Sequence, residues 1–207
     1  MWVAALLVAG TGAVAGSMRV TSVGLLVVVG AAALGVGVPL VRAALQKGPA
    51  EYGAWSLMLG AAWILVAGAA ASLRAFEAAY ATGLRAAFLA WMPILGAAGL
   101  GQLFVGALTY LMPVVIGGGP SAVRVGVSVL EAGAPIREAA RNVASVLALA
   151  VASLGGTSAE RLTIAAWVVL LATYLVDIVL MARCGVAQAR AKRAVASSPT
   201  TQGGRRG

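Results

Sequence analysis

The feature that most constrains this chain is the long apolar run over residues 86–120, AAFLAWMPILGAAGLGQLFVGALTYLMPVVIGGGP, which holds two internal prolines and closes on a triple glycine. Wound as a helix, residues 86–112 would reach about 40 Å, against a bilayer hydrocarbon core of about 30 Å. Such a span must tilt, kink or stand proud of the bilayer. Pro93 leaves the carbonyl of Leu89 without its helical donor, which predicts a kink there. Helical spacing sorts the run into two faces. Gly99, Gln102, Gly106 and Thr109 gather on one arc, and Leu100, Phe104, Leu108 and Leu111 on the other. In lipid, helices associate through close backbone approach and interhelical hydrogen bonds, so the glycine side is expected to face protein and the leucine side lipid. Gln102 reads either as a structural amide bonded to a neighbouring helix or as a contact for a solute or ion.

Composition agrees with a membrane setting. Hydrophobic residues make up 61% of the chain and charged residues 10%, where soluble domains carry about a quarter charged residues. A soluble core of this length is therefore excluded. The 15 Lys and Arg against 6 Asp and Glu sit between apolar runs and in the tail, so the excess reads as an orientation signal and no nucleic-acid partner is expected. The chain contains no histidine and one cysteine, Cys184. Ser-His-Asp and Cys-His catalysis are thereby excluded within it, and imidazole-based metal or haem ligation has no ligand. The six methionines show no clustering along the sequence and read as core filling. Neither a catalytic centre, a metal site nor a cofactor is expected.

The expected fold is all-α: a polytopic helical bundle over residues 1–184 with about six spans and one interfacial amphipathic helix. The spans fall near residues 1–17, 21–41, 52–73, 86–112, 136–154 and 158–182, and the interfacial helix at 121–132. Ala13-Val14-Ala15 resembles a signal-peptidase site, but no basic segment precedes the first apolar stretch. Tyr52 and Trp55 supply rings suited to interfacial depth. Gly117-Gly118-Gly119 lacks the Gly-Lys-Ser/Thr that would make it a phosphate loop, so it reads as a helix stop and turn. Over 121–132, helical spacing sets Val123, Val127 and Leu130 opposite Arg124, Ser128 and Glu131, in a segment too short to span. Arg137, Glu138 and Arg141 mark the wet end of the fifth span. Thr157 and Glu160 have capping-box spacing ahead of the sixth. Residues 185–207, rich in Ala, Arg, Ser, Thr and Gly, read as a disordered basic tail.

Asp177 lies inside the sixth span, with Thr163 and Thr173 along one side and Tyr174 three residues away. An acid within a span is a candidate proton relay, or a structural group paired with a loop arginine. With six spans and both termini cytoplasmic, eleven Lys and Arg fall inside, and Arg19, Arg74, Arg85 and Arg161 fall outside. The positive-inside rule then favours a bacterial cytoplasmic membrane protein with N- and C-termini in the cytoplasm.

Residues 101–115, GQLFVGALTYLMPVV, followed by Gly117-Gly118-Gly119-Pro120 and then by the 137–142 stretch just before the next span, resemble a known membrane module. It is the C-terminal part of the transmembrane region attached to actinobacterial multicopper oxidases of the copper nitrite reductase type. The resemblance covers roughly residues 86–155 and rests on apolar, Gly-rich motifs. In that family copper belongs to cupredoxin domains with His and Cys ligands; this chain has neither those domains nor any histidine, so no ligand carries over. The resemblance implies an anchor or scaffold whose partners are the lipid bilayer and another membrane or cupredoxin-type protein. The abrupt start at Met1 fits the remaining part of a longer module. The alternative is a small-solute or proton-coupled transporter with Gln102, Tyr110 and Asp177 lining its path, although no inverted repeat between the two halves supports it.

Overall fold

The structure is a computed structural model that describes residues 2–47, 52–78, 80–152 and 157–197. Among the described residues the chain is helices and turns with no strand. Helices α1 (Trp2–Val14) and α2 (Met18–Ala32) are followed without a break by a π-helical stretch, Ala33–Gly37, and by α3 (Val38–Lys47). Helix α4 spans Tyr52–Phe76. Helix α5 (Ala81–Ile94), a second π-helical stretch (Leu95–Gly101) and α6 (Gln102–Ile116) make one continuous rod. Helices α7 (Gly119–Leu130), α8 (Ala134–Ala152) and α9 (Thr157–Ser197) complete the chain.

Helices satisfy their own backbone groups, which is the condition for crossing lipid. Four runs are long and apolar enough to do so: Met18–Ala43, Tyr52–Phe76, Ala81–Ile116 and Thr157–Val195. The two remaining expected spans are of a different kind. Helix α1 has 13 residues, about 20 Å, which is short of the hydrocarbon core. Helix α8 has 19 residues, about 28 Å, and carries Arg137, Glu138 and Arg141 in its first turns.

Pro93 sits inside the helical rod rather than at its end, and the wider winding starts two residues later at Leu95. A missing N–H loosens the local ladder, and π-type winding is one way a helix absorbs this. The first π stretch has the same association: Pro39 removes the donor for the carbonyl of Gly35, which lies inside Ala33–Gly37.

Helices α4 and α6 run antiparallel and meet through glycines. A Cβ placed on Gly60 would lie 2.8 Å from the carbonyl oxygen of Gly99, and one on Gly106 would lie 2.8 Å from that of Gly53. No side chain fits between the two backbones. The α1–α2 hairpin closes in the same manner, with Gly24 against the backbone of Ala9 and Gly12 against Thr21. On the far side of the central rod, Leu100, Phe104 and Leu111 are exposed, while Leu108 is half-buried.

Two features correct the sequence-based expectations. Helix α9 is a single helix of 41 residues, about 61 Å and twice the hydrocarbon thickness. As far as Ser197, helix therefore replaces the disordered tail expected from residue 185; residues 198–207 lie outside the described part. The segment expected at 121–132 is helical but does not stand alone. Its small face, Ala122, Gly126 and Leu130, is buried along the outer length of α9. Gly126 lies against the side chain of Gln188, and Leu130 packs with Leu180 and Cys184. The positive φ angles of Gly117, Gly118 and Gly119 (69°, 105° and 86°) turn the chain back from α6 into α7, a conformation open to glycine and strained for other residues. Together α7 and α8 form a broken helix lying antiparallel to α9, with the break at Gly133.

Candidate functional site

The most unusual chemistry in the molecule lies where α4, α8 and α9 converge. Along α9, the buried line Thr173, Asp177, Leu180, Cys184 and Gln188 advances at helical spacing and faces α8 and α7. Against Asp177, the first turns of α8 set Arg137 and Arg141, four residues apart on one face. Arg137 Nε lies 3.1 Å from Asp177 Oδ1, and Arg141 Nη2 donates to Asp177 Oδ2. Tyr52, at the start of α4, donates its hydroxyl to the same carboxylate at 3.0 and 3.1 Å. Arg141 Nε donates to Thr173 Oγ1 at 3.1 Å. Arg141 is fully buried, and the Asp177 side chain is 3% exposed.

Each guanidinium also lies over a tyrosine ring. Arg137 stands 4.6 Å from the Tyr52 centroid and Arg141 4.3 Å from that of Tyr174, within cation–π range. Arg137 also reaches backward along the chain, where its two terminal nitrogens donate to the carbonyls of Leu130 (2.7 Å) and Ala132. It thereby closes the carboxyl end of α7, where unpaired carbonyls and the helix dipole favour a cation. One side chain thus ties α7, α8 and α9 together.

Glu138 is held differently. Its Oε2 accepts from Ser56 Oγ at 2.8 Å. The nearest guanidinium nitrogen, Arg141 Nη1, is 3.7 Å from Oε2 and makes no hydrogen bond. Glu138 Oε1 has Asn142 Nδ2 at 3.4 Å, while that amide's shorter bond, 2.8 Å, goes to the Glu138 carbonyl. Asn142 Oδ1 in turn accepts from Trp63 Nε1 at 2.7 Å and Gln102 Nε2 at 3.2 Å. Gln102 Oε1 is buried with no hydrogen-bond partner among the described residues. Beside Glu138 a recess of about 450 Å³ lies between α4 and α8, walled by Tyr52, Trp55, Leu59, Ala134, Pro135, Ala139 and Asn142.

Of the residues singled out from sequence, Gly99, Gln102, Gly106 and Thr109 all lie buried on the α4 side of the central rod. Gln102 and Asp177 do not touch; they are linked through Asn142, Glu138 and Arg141. Tyr110 does not join them and stands 65% exposed on the outer surface. The sequence puts Arg137, Glu138 and Arg141 at the wet end of a span; in the structure they form the centre of the cluster. The available signal was Arg-Glu-x-x-Arg at the mouth of an apolar helix, a spacing that puts both arginines on one face. Gln188, read as part of a tail, donates to the carbonyls of Pro113 (3.0 Å) and Ala122 (3.2 Å) and so fastens α6 and α7 to α9. Among the described residues no three metal-ligating acidic or thiol side chains converge.

In a low-dielectric interior an unpaired charge is far costlier than a paired one. The arrangement therefore does two things: it locks three helices in register, and it keeps one carboxylate less tightly engaged beside an apolar recess. Comparison with known proteins gave no match to a family model, to a curated protein or to a solved structure.

Proposed function

We propose that the chain is an integral membrane scaffold or anchor module of a bacterial cytoplasmic membrane, without a catalytic centre of its own. The observation that carries this is the saturation of Asp177. Two guanidinium groups and a tyrosine hydroxyl already engage its carboxylate, so it serves as a cross-link between helices. A proton relay would need a carboxylate open to an exchange partner. The likeness of residues 101–120 and 137–142 to the membrane region of copper nitrite reductase-type oxidases supports a respiratory copper protein as what the module holds. We place six crossings in the membrane, with α1 and α8 joining the four long apolar runs, and both termini in the cytoplasm. The positive-inside rule supports this orientation, because Arg124, Arg183, Arg190, Lys192 and Arg193 all belong to α7 and the outer part of α9.

Asp177→Asn provides the test. In a scaffold, the substitution strands Arg137 and Arg141 and lowers the thermal unfolding midpoint of the detergent-purified protein. The second reading, a small-solute or proton-coupled transporter, draws support from the polar chain joining Gln102 to Asp177. It requires Asp177→Asn to stay folded and to lose flux in proteoliposomes that the parent protein supports. A stable, flux-deficient variant would overturn the scaffold proposal.

A further inference from the structure

The recess between α4 and α8 is more than a packing gap between apolar helices: it borders the ion-pair lock and shares Tyr52 and Glu138 with it. Its volume, about 450 Å³, falls within the range of small-molecule sites. Its walls are apolar or aromatic, with Leu59, Ala134, Pro135, Trp55 and the ring of Tyr52, and it has two polar groups, Glu138 and Asn142. Trp55 and Ala139 are exposed at its edge. It sits at the first turns of both α4 and α8, so it lies towards one end of the bundle. An apolar body and a small number of fixed polar groups are what a lipid-soluble ligand needs.

The charges around it narrow the class. Two guanidinium groups, Arg137 and Arg141, face two carboxylates, Asp177 and Glu138, so the cluster is already balanced. A cationic ligand would leave a net positive charge in an apolar site, and an anionic one would meet Glu138. The group that remains open is the Glu138 carboxylate. Oε2 has its donor in Ser56 at 2.8 Å, whereas Oε1 has only the 3.4 Å approach of Asn142. A carboxylate oxygen accepts two hydrogen bonds, so Oε1 has room for a neutral O–H donor.

We infer that this recess binds an uncharged, lipid-soluble molecule that presents a hydroxyl to Glu138. The flat walls supplied by Tyr52, Trp55 and Pro135 favour a phenolic hydroxyl over an aliphatic one. The inference stands apart from what the module anchors.

The test uses the full chain in nanodiscs and three neutral probes at equal mole fraction: 4-nonylphenol, 1-tetradecanol, and 4-nonylanisole, the ether that lacks the donor. Binding is read as a change in tryptophan emission, excited to the red of the probes' own absorption, Trp55 standing at the recess. The phenol should bind at least about tenfold more tightly than the ether, the size expected for one hydrogen bond to a charged acceptor. A larger advantage for tetradecanol would assign the site to an aliphatic alcohol instead. Glu138→Gln should reduce the preference of phenol over ether severalfold. Ala139→Leu, at the exposed edge and outside the ion cluster, should keep the parental unfolding midpoint and lose binding by tenfold or more. Equal affinity for phenol and ether in the parent protein, or undiminished binding in Ala139→Leu, would overturn the inference. Either result leaves the scaffold proposal untouched, since that depends on Asp177.

Discussion

Arg141 makes contacts to α9 along its whole length: an ion pair to Asp177, a hydrogen bond to Thr173 and a stacked face on Tyr174. A single truncation here is therefore severe. Arg141→Ala should lower stability by about 3–5 kcal/mol, the usual cost of breaking a buried pair, measured as a fall in the denaturation midpoint in mild detergent. The loss comes from leaving Glu138 without a cation, and Asp177 with one guanidinium instead of two, more than from the pair's own worth. Accordingly, Arg137→Met, Arg141→Met and Asp177→Leu combined with Glu138→Gln, so that no buried carboxylate is left without a cation, should recover much of it, because a packed neutral replacement spares the desolvation of all four charges. Recovery will be incomplete. Arg137 also closes the carboxyl end of α7, and methionine has no donor for those carbonyls. A combined variant no more stable than the single one would show that the cluster is a net source of stability.

At the scale of elements, α4 and α6 depend on the absence of side chains. Gly106→Val would drive a Cβ to 2.8 Å from the Gly53 carbonyl oxygen and 2.9 Å from the Leu57 backbone nitrogen. Neither is a flexible side-chain end, so the helices must separate. A loss of at least about 1–3 kcal/mol follows, together with weaker tryptophan burial at Trp63, which hydrogen-bonds across to α8. Gly10→Val, where an added Cβ meets nothing within 4 Å, is the matched control and should cost little. The glycine face was legible in the sequence because its information is local: Gly99, Gln102, Gly106 and Thr109 obey one helical period within a single segment. The charge cluster was not legible in the same way. Tyr52 and Asp177 are 125 residues apart, and no period within one helix reveals which basic group an acid will meet. The outer half of α9 was missed for a related reason. Its apolar content is low, and its buried stripe consists of Cys184 and Gln188, residues that look polar until α7 is laid against them. The π-helical stretches have no sequence signature beyond the nearby prolines.

For the molecule as a whole, the proposed topology divides the helices into a lipid-embedded bundle and a projecting bundle made by the end of α6, by α7 and by the outer part of α9. The arrangement predicts a labelling pattern. In a Cys184→Ala background, Ser197→Cys should react with a membrane-impermeant maleimide from the cytoplasmic side only, and Ser17→Cys from the opposite side only. The reverse pattern would invert the proposed orientation. Gln188→Leu should leave the embedded helices intact while loosening α7, because the two carbonyls it serves, Pro113 and Ala122, lose their shared donor. Faster protease cleavage within residues 117–133, with an unchanged helical signal from the remainder, is the expected outcome.

In the proposed six-crossing topology, the pairing of α8 with α9 also governs the order in which the chain can enter the bilayer. Arg141 precedes Asp177 by 36 residues, which at ordinary rates of translation means a delay of roughly 2–7 s. During that interval α8 has two arginines without their counterion, and hydrocarbon is a poor place for them to wait. Helix α8 must linger at the translocon or the membrane surface until its successor is made. The two then enter as a pre-joined hairpin, neutralised before immersion.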